Sequence, residues 1–391
     1  MKPLPFARIV EGEEVSWRHT VTAAEVDAFV ELSGDLNPLH LDDAFARQNG
    51  FRGRVVHGML VGAFLSRVLG TVFPGPGVLW LSQTIRFQSA VYVDETIEVT
   101  VRIAHKSESL RTLVLETSVL TESGASALTG EAKVMMLQTV QRVEWNELVA
   151  VVTGGGRGIG AAVARAFGEK GARVVVNYRE RLEPAQEVVA AIEEAGGEAF
   201  AAEADVGTTA GAESLARAAL GRFGRVDVLV NNATPAIDRK PLLELEWEEV
   251  DRYWRTYVQS AFTLTHAFVP GMRDRGFGRI IHLLTTAMWG APPPGTAGYV
   301  AAKSGLWGLA KAMAVELAPL GITVNAVSPS AVLTEQWDAT PDNRRRAMGL
   351  RIPAQRLARA DEVASTVVYL ASNEAAYVTG ANFPVAGGEV M

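Results

Sequence analysis

The sequence predicts two domains of different class, an α+β domain followed by an α/β domain built on a doubly wound parallel sheet. Three observations carry this. Residues 97–103 alternate apolar and polar with a period of two, following a single amphipathic helix pattern, as half-buried antiparallel strands beside a helix do. In mid-chain a short apolar run, Leu148 to Val152, breaks into Thr153-Gly-Gly-Gly-Arg-Gly-Ile-Gly160 and then into a helical pattern. From there to the end, strand and helix patterns alternate. The 391 residues suit two domains, placed at 1–141 and 142–391.

Composition removes several classes of function. An apolar share of 48% with 21% charged residues describes an ordinary globular protein. A net charge of −7 disfavours nucleic-acid and anionic-membrane surfaces. With no cysteine, disulfides, thiol nucleophiles and cysteine-type zinc sites are excluded. No apolar run reaches ~18 residues and the N-terminus has no long apolar core, so a soluble, cytoplasmic protein is the expectation. The six histidines show no metal-ligand spacing, and no metal is expected.

In the first domain, Thr22 begins a helix as an N-cap with Glu25 three residues on, a capping box, and Val26, Phe29, Val30 and Leu32 mark it as amphipathic. A polar loop, Ser33 to Asp42, follows. Phe51 to Leu60 leads into a second helix through Val61, Phe64, Leu65, Val68 and Leu69. Strands are expected over Leu79–Phe87, 97–103, Leu110–Thr121 and Ala125–Leu137.

The string Gly34-Asp-Leu-Asn-Pro-Leu-His-Leu-Asp42, then Val56-His-Gly-Met-Leu60 and Ser66, resembles the (R)-specific enoyl-CoA hydratases, the MaoC-like dehydratases of hotdog fold. That resemblance implies an Asp35–His40 catalytic dyad, an orienting role for Ser66, and a Gly58 N–H that polarises the thioester carbonyl. The residue types suit the reaction. Adding water to an unsaturated thioester needs a base for water and an acid for Cα, and a carboxylate and an imidazole sharing one water supply both. Taken singly, Asp35 reads as an Asx-turn before Pro38 and His40 as a core-edge imidazole; their spacing together favours the dyad. His57 reads as structural.

The junction, Thr139 to Glu147, is neither Gly/Ser-rich nor Pro-rich and does not read as a flexible tether. Beyond it, strands are expected at Arg173–Asn177, Ala199–Ala202, Val226–Val230, Arg279–Leu284 and Thr323–Val327, with a helix over Pro184–Ala195. A strand, a tight glycine turn and a helix N-terminus present N–H groups and a positive helix end to a pyrophosphate.

Thr153-Gly-x-x-x-Gly-x-Gly160, Asp205-Val206, Asn231-Asn-Ala233, Tyr299-Val-Ala-Ala-Lys303, Pro329 and Thr334 resemble the short-chain dehydrogenases/reductases of Rossmann fold, particularly 3-oxoacyl-thioester reductases. The resemblance implies a nicotinamide dinucleotide cofactor. Thr153, Gly154, Gly156, Arg157, Gly158, Ile159 and Gly160 would lie round its phosphates, and Asn177 and Arg179 at the adenosine ribose. Asp205 and Val206 would lie at the adenine, Asn231 and Ala233 beside the cofactor, and Pro329 and Thr334 at the nicotinamide. Tyr299 would be the proton donor, with Lys303 one helical turn on lowering its pKa and bonding the ribose. The tip of the second strand carries no acid, and Arg157 and Arg179 favour NADP(H).

The chain departs from that pattern in three places. Tyr257 stands where an asparagine completes the proton relay, and its hydroxyl could hold the relay water or its bulk block it. A threonine, Thr285 or Thr286 depending on the direction of counting, replaces the carbonyl-binding serine. Ser330 replaces a glycine. Trp337, Pro341 and Arg344-Arg-Arg346 fall in the expected substrate lid, the arginines reading either as a solvated helix face or as a contact for an anionic carrier.

Together the resemblances imply a bifunctional enzyme acting on an acyl-CoA or acyl-carrier-protein thioester, assembled as a homo-oligomer, dimer or tetramer. Two rival readings stay open: a hydratase whose second domain only binds dinucleotide or dimerises, and a reductase of a non-thioester carbonyl.

Overall fold

The computed structural model describes Leu4 and residues 6–108, 110–137, 142–335 and 340–389. The chain forms two compact units, Met1–Thr139 and Val140–Met391. Residues 139–141 of the junction lie outside the described residues, as does Trp337 of the expected lid. No described helix is long and apolar enough to cross a membrane.

The first unit contains β1 (Glu14–Thr20), α1 (Ala23–Ser33), α2 (Pro38–Leu41), α3 (Asp43–Gln48), α4 (Gly58–Arg67), β2 (Val78–Phe87), β3 (Thr96–Ser107), β4 (Thr112–Thr121) and β5 (Ser126–Met136). The strands pair antiparallel in the order β1-β3-β4-β5-β2. α4 buries Leu60, Val61, Phe64 and Leu65 in the same core as Val99, Val101, Leu113, Leu115 and Leu128 of the sheet. This is the expected hotdog arrangement. The capping box of α1 forms in both directions: Thr22 N donates to Glu25 Oε2 at 2.9 Å, and Glu25 N donates to Thr22 Oγ1 at 3.2 Å. α1 ends on Gly34, whose φ of +72° few other residues adopt without strain. β1, to which the sequence reading assigned no element, is an edge strand whose inward positions, Val15, Trp17 and His19, are only half-buried. The alternation is there, but His19 on the inward face shortens its apolar signal to Val15 and Trp17.

The second unit runs β6 (Val149–Val152), α5 (Gly158–Glu169), β7 (Arg173–Tyr178), α6 (Leu182–Glu194), β8 (Glu198–Glu203), α7 (Thr209–Phe223), β9 (Val228–Asn231), α8 (Trp247–Trp254), α9 (Ser260–Arg275), β10 (Gly278–Leu283), α10 (Ala297–Leu317), β11 (Ile322–Pro329), β12 (Val332–Leu333), α11 (Asp342–Gly349), β13 (Ala358–Arg359), α12 (Ala360–Ala371) and β14 (Asn382–Val385). Seven parallel strands lie in the order β14-β11-β10-β9-β6-β7-β8, with β12 and β13 pairing separately. β6, β9, β10 and β11 are buried along their whole length, with apolar residues on both faces. The chain reverses direction across the sheet between β6 and β9, which opens a crevice at their C-terminal ends. The two-residue strands β12 and β13 and the edge strand β14 had no sequence expectation; β14 is short and has a proline in it.

Candidate active sites

In the first unit, the loop after α1 and the N-terminus of α4 meet at a cavity of about 580 Å³. Its lining includes Phe29, Asp35, His40, His57, Gly58, Met59, Val61, Phe87 and Val91. Asp35 Oδ1 accepts from Asn37 N at 3.1 Å, so the Asx-turn forms through one carboxylate oxygen and does not use the other. Asn37 then caps α2, accepting from Leu39 N at 3.1 Å, and Pro38 starts that helix. This places His40 on α2 with Nδ1 2.6 Å from the Val55 carbonyl. A carbonyl only accepts, so Nδ1 carries the proton and Nε2 is the basic atom of the neutral ring.

His57, expected from the sequence to be structural, belongs to this cluster. It is the N-cap residue of α4, buried, and stacked on His40 with ring centroids 3.7 Å apart. Its Nε2 lies 3.4 Å from the Asp35 carbonyl and 4.0 Å from Asp35 Oδ2. Burial first, and His40 second, hold its pKa below the usual imidazole range. Its position between two named residues and a helix start was the available signal. Donor atoms of Asp35, His40 and His57 lie within 4.8 Å of one another, donor types that also suit a metal. However, His57 Nε2 points its N–H at a carbonyl, which leaves no lone pair there to converge on an ion.

Gly58 opens α4 and lines the cavity, where first-turn N–H groups have no intrahelical acceptor. A Cβ there would sit 2.9 Å from the Phe87 ring, so glycine lets that ring close over the helix end. Ser66 does not join the site. It is exposed, outside the cavity lining, and eight residues past Gly58, about 12 Å further along α4.

In the second unit a cavity of about 1080 Å³ follows the crevice at β6 and β9. Gly154, Gly156, Arg157, Gly158, Ile159, Gly160, Asn177, Arg179, Asp205, Val206, Ala233, Thr285, Thr286, Tyr299, Lys303, Pro329 and Thr334 all line it. Gly154 and Gly158 take φ of +61° and +56°. At Gly160 a Cβ would lie 2.2 Å from the Gly154 carbonyl oxygen, so only glycine lets the turn close.

Two expected cofactor residues act one step back. Thr153 is buried under the loop; Oγ1 donates to the Val230 carbonyl at 3.2 Å and accepts from Asn232 N and Ala233 N at 2.9 and 3.0 Å. Asn231 turns its amide into the sheet, with Nδ2 3.2 Å from His282 Nδ1. Its neighbour Asn232, not singled out from sequence, lines the cavity and ties the loop through the Thr153 and Gly154 carbonyls. Asn177 lines the cavity but its amide is committed: Oδ1 accepts from Gly154 N, and Nδ2 faces the Tyr178, Ala202 and Ala204 carbonyls.

The cavity fits a dinucleotide. Gly158 N, in the first turn of α5, donates to Glu335 Oε2 at 3.0 Å, a carboxylate standing where a phosphate oxygen would sit. Arg157, Arg179 and Arg181 all line the cavity, Arg179 paired with Glu180 at 2.6 Å.

At the cavity floor, Tyr299 lies beside Thr285 and Thr286, and it is Thr285 whose hydroxyl acts on the phenol, favouring its ionised form. Thr285 also caps the turn Thr286–Met288, accepting from Ala287 N at 3.2 Å. Lys303, one turn along α10, is buried and donates to the Leu283 carbonyl at 2.5 Å. Burial lowers its pKa to about 7. Burial also raises Tyr299, with Thr285 opposing, so the expected lowering by lysine does not prevail. Deep in the sheet, burial takes His282 down to about 3.

The family profile described as Enoyl-(Acyl carrier protein) reductase matches residues 154–389, and that described as MaoC like domain matches residues 9–124. The chain belongs to the short-chain dehydrogenases/reductases, with a MaoC-like domain joined to it.

Among its relatives, the 3-oxoacyl-[acyl-carrier-protein] reductase FabG of Staphylococcus aureus is 38% identical over 246 residues, covering 62% of this chain and 98% of that protein. The 3-oxoacyl-[acyl-carrier-protein] reductase of Synechocystis is 41% identical over 245 residues, covering 62% and 97%. Among solved structures, a short-chain dehydrogenase/reductase of Serratia marcescens is similar with a TM-score of 0.59 and 36% identity, over 63% of this chain and 99% of that one. Acetoin dehydrogenase of Enterobacter cloacae is similar with a TM-score of 0.58 and 33% identity, over 62% and 95%.

Within this short-chain dehydrogenase/reductase unit the departures are now placed. Tyr257 sits in a π-helical turn, Arg255–Gln259, between α8 and α9, and is buried. Its hydroxyl lies 2.5 Å from Thr234 Oγ1, so it is engaged away from Lys303. Ser330 Oγ is hydrogen-bonded to Glu389.

Proposed function

We propose that the chain reduces a 3-oxoacyl thioester with NADPH to the (R)-3-hydroxyacyl thioester and reversibly dehydrates that product to the trans-2-enoyl thioester. The observation that carries the reading is the convergence of Tyr299, Lys303 and Thr285 on the glycine-loop cavity, in the same chain as Asp35 and His40 at a second one.

Bound nicotinamide supplies the hydride. Thr285 and Tyr299 hold the substrate carbonyl oxygen, and Tyr299 gives it a proton. The raised pKa of Tyr299 keeps that proton available. In the first unit Asp35 and His40 take the proton from Cα and deliver one to the departing hydroxyl, so that water leaves as the double bond forms. The α4 N-terminus, at Gly58, faces the charge developing on the thioester oxygen.

Three guanidiniums, Arg157, Arg179 and Arg181, support NADP(H), because their planar donors match a 2′-phosphate. The exposed Arg344 and Arg346 of α11 support an anionic carrier, coenzyme A or an acyl carrier protein. Exposed Phe262 and Val315, on α9 and α10, support self-association as a dimer or tetramer.

Two other readings each have one observation in their favour. Tyr257 in place of asparagine favours a second unit that binds dinucleotide without turnover. The likeness to an acetoin dehydrogenase favours a non-thioester ketone. Paired assays on one preparation test all three: hydration of crotonyl-CoA, and NADPH oxidation with acetoacetyl-CoA and with acetoin. The proposal expects hydration, with NADPH consumed on the thioester in preference to the ketone. Binding of NADPH with no turnover would leave the first rival standing.

A further inference from the structure

Tyr257 is gripped at both ends. Its hydroxyl meets Thr234 Oγ1 at 2.5 Å, and its ring centroid lies 3.8 Å from Lys303 Nζ. The ring is only 2% exposed, stacked on Tyr253 at 6.1 Å and edge-on to Tyr299 at 6.0 Å. Lys303 Nζ has three N–H donors, and its hydrogen bond among the described residues goes to the Leu283 carbonyl. No described carboxylate forms an ion pair with it. The other titratable groups around it are Tyr299 on its own helix, Tyr253 on α8 and His282 on β10, the last neutral. Beside the Leu283 carbonyl, a buried ammonium so placed has a second source of negative potential, the aromatic face of Tyr257.

We propose that Tyr257 is a positioning residue for the reduction: its ring face, rather than its hydroxyl, holds Lys303 as a cation beside Tyr299, and Thr234 fixes the ring in that orientation. The inference rests on the reductase reading above. It also accounts for a tyrosine at a position where the resembling family uses an amide, since a π face stabilises the same charge without a hydrogen-bond acceptor. The π-helical turn at Arg255–Gln259 is the backbone feature that carries the larger side chain in this stretch.

The test uses the full chain with its lysines isotope-labelled, free of cofactor, and follows the Lys303 side-chain resonance with pH; Lys303→Arg assigns the signal. Tyr257→Phe keeps the ring and is expected to leave the Lys303 pKa within a few tenths of the parent. Tyr257→Leu removes the ring and is expected to lower it by on the order of one pH unit. The high-pH limb of kcat/KM for NADPH-dependent reduction should move down with it. If the leucine variant does not fold, a ring-fluorinated phenylalanine at 257, equal in shape but poor in π charge, must give the same fall. A Lys303 pKa that stays or rises in the ring-depleted variants, or falls equally in Tyr257→Phe, overturns the proposal. Failure of the parent to oxidise NADPH would instead defeat the reductase reading and leave the titration to be read by itself.

Discussion

The imidazoles of His40 and His57 stack with centroids 3.7 Å apart and planes 26° from parallel, so a proton on one disfavours a proton on the other. His57 is the more buried ring and is held below the usual imidazole range; in the proposed dehydration His40, with Nδ1 on the Val55 carbonyl, presents Nε2 to the substrate. Asp35→Ala and His40→Ala are therefore expected to slow crotonyl-CoA hydration by about 10²–10⁴-fold. NADPH oxidation in the second unit should stay at the parent rate. Loss of enoyl absorbance at the parent rate in either variant would remove the dyad.

Reduction at Tyr299 should depend on the charge of Lys303, whose pKa of about 7 lies well below that of an exposed lysine. Tyr299 is raised, so it remains a phenol across the neutral range. The free-enzyme kcat/KM for reduction is then expected to fall as pH rises through about 7, as Lys303 loses its proton. Lys303→Arg, which retains its charge, should move that limb out of the neutral range. A profile flat from neutral to alkaline pH in the parent would contradict this.

His282 ties stability to pH with a definite sign. Its folded-state pKa of about 3 lies below the unfolded value of 6.5, so the unfolded chain takes up the proton first. The contribution is complete above the unfolded pKa and is lost as pH falls towards the folded one, at roughly 1.4 kcal/mol per pH unit. Denaturant unfolding of the parent and of His282→Gln at several acidic pH values should show the steeper loss in the parent. Parallel slopes would mean that this histidine is not the group responsible.

Glu335 competes for the end of α5. Its carboxylate accepts from Gly158 N at 3.0 Å and brings negative charge to the place that suits a pyrophosphate. Glu335→Gln, which keeps the shape and drops the charge, is expected to tighten NADPH binding by about two- to fivefold. Fluorescence titration of the free protein measures it. Unchanged or weaker binding would show that the contact does not oppose the cofactor.

Much of both sites was legible where spacing along the chain fixes geometry. Gly154 to Gly160 forms a turn into a helix whatever surrounds it, because positive φ and close backbone approach demand glycine. Tyr299 and Lys303 share a helix face because they are one turn apart, and the capping box at Thr22 needs only Glu25 three residues on. Short edge strands were harder: β1 alternates, but His19 interrupts its apolar side and no position is fully buried, and β14 is four residues with a proline. Ser66 shows the opposite failure. Its sequence offset suited the motif, but two turns along α4 it is exposed and outside the cavity lining.

The sequence by itself determined the two domain classes, the glycine turn, the paired Asp35 and His40, and the Tyr299–Lys303 helix face, because each is written in short-range spacing and the period of burial. Only the tertiary structure decided that Thr285 rather than Thr286 meets Tyr299, that His57 joins His40, and that Tyr257 turns its hydroxyl to Thr234 and its ring to Lys303. It also brought Glu335 to Gly158 across 177 residues. Those partners come together through packing between separate elements, and no local pattern encodes which buried side chain ends up facing which.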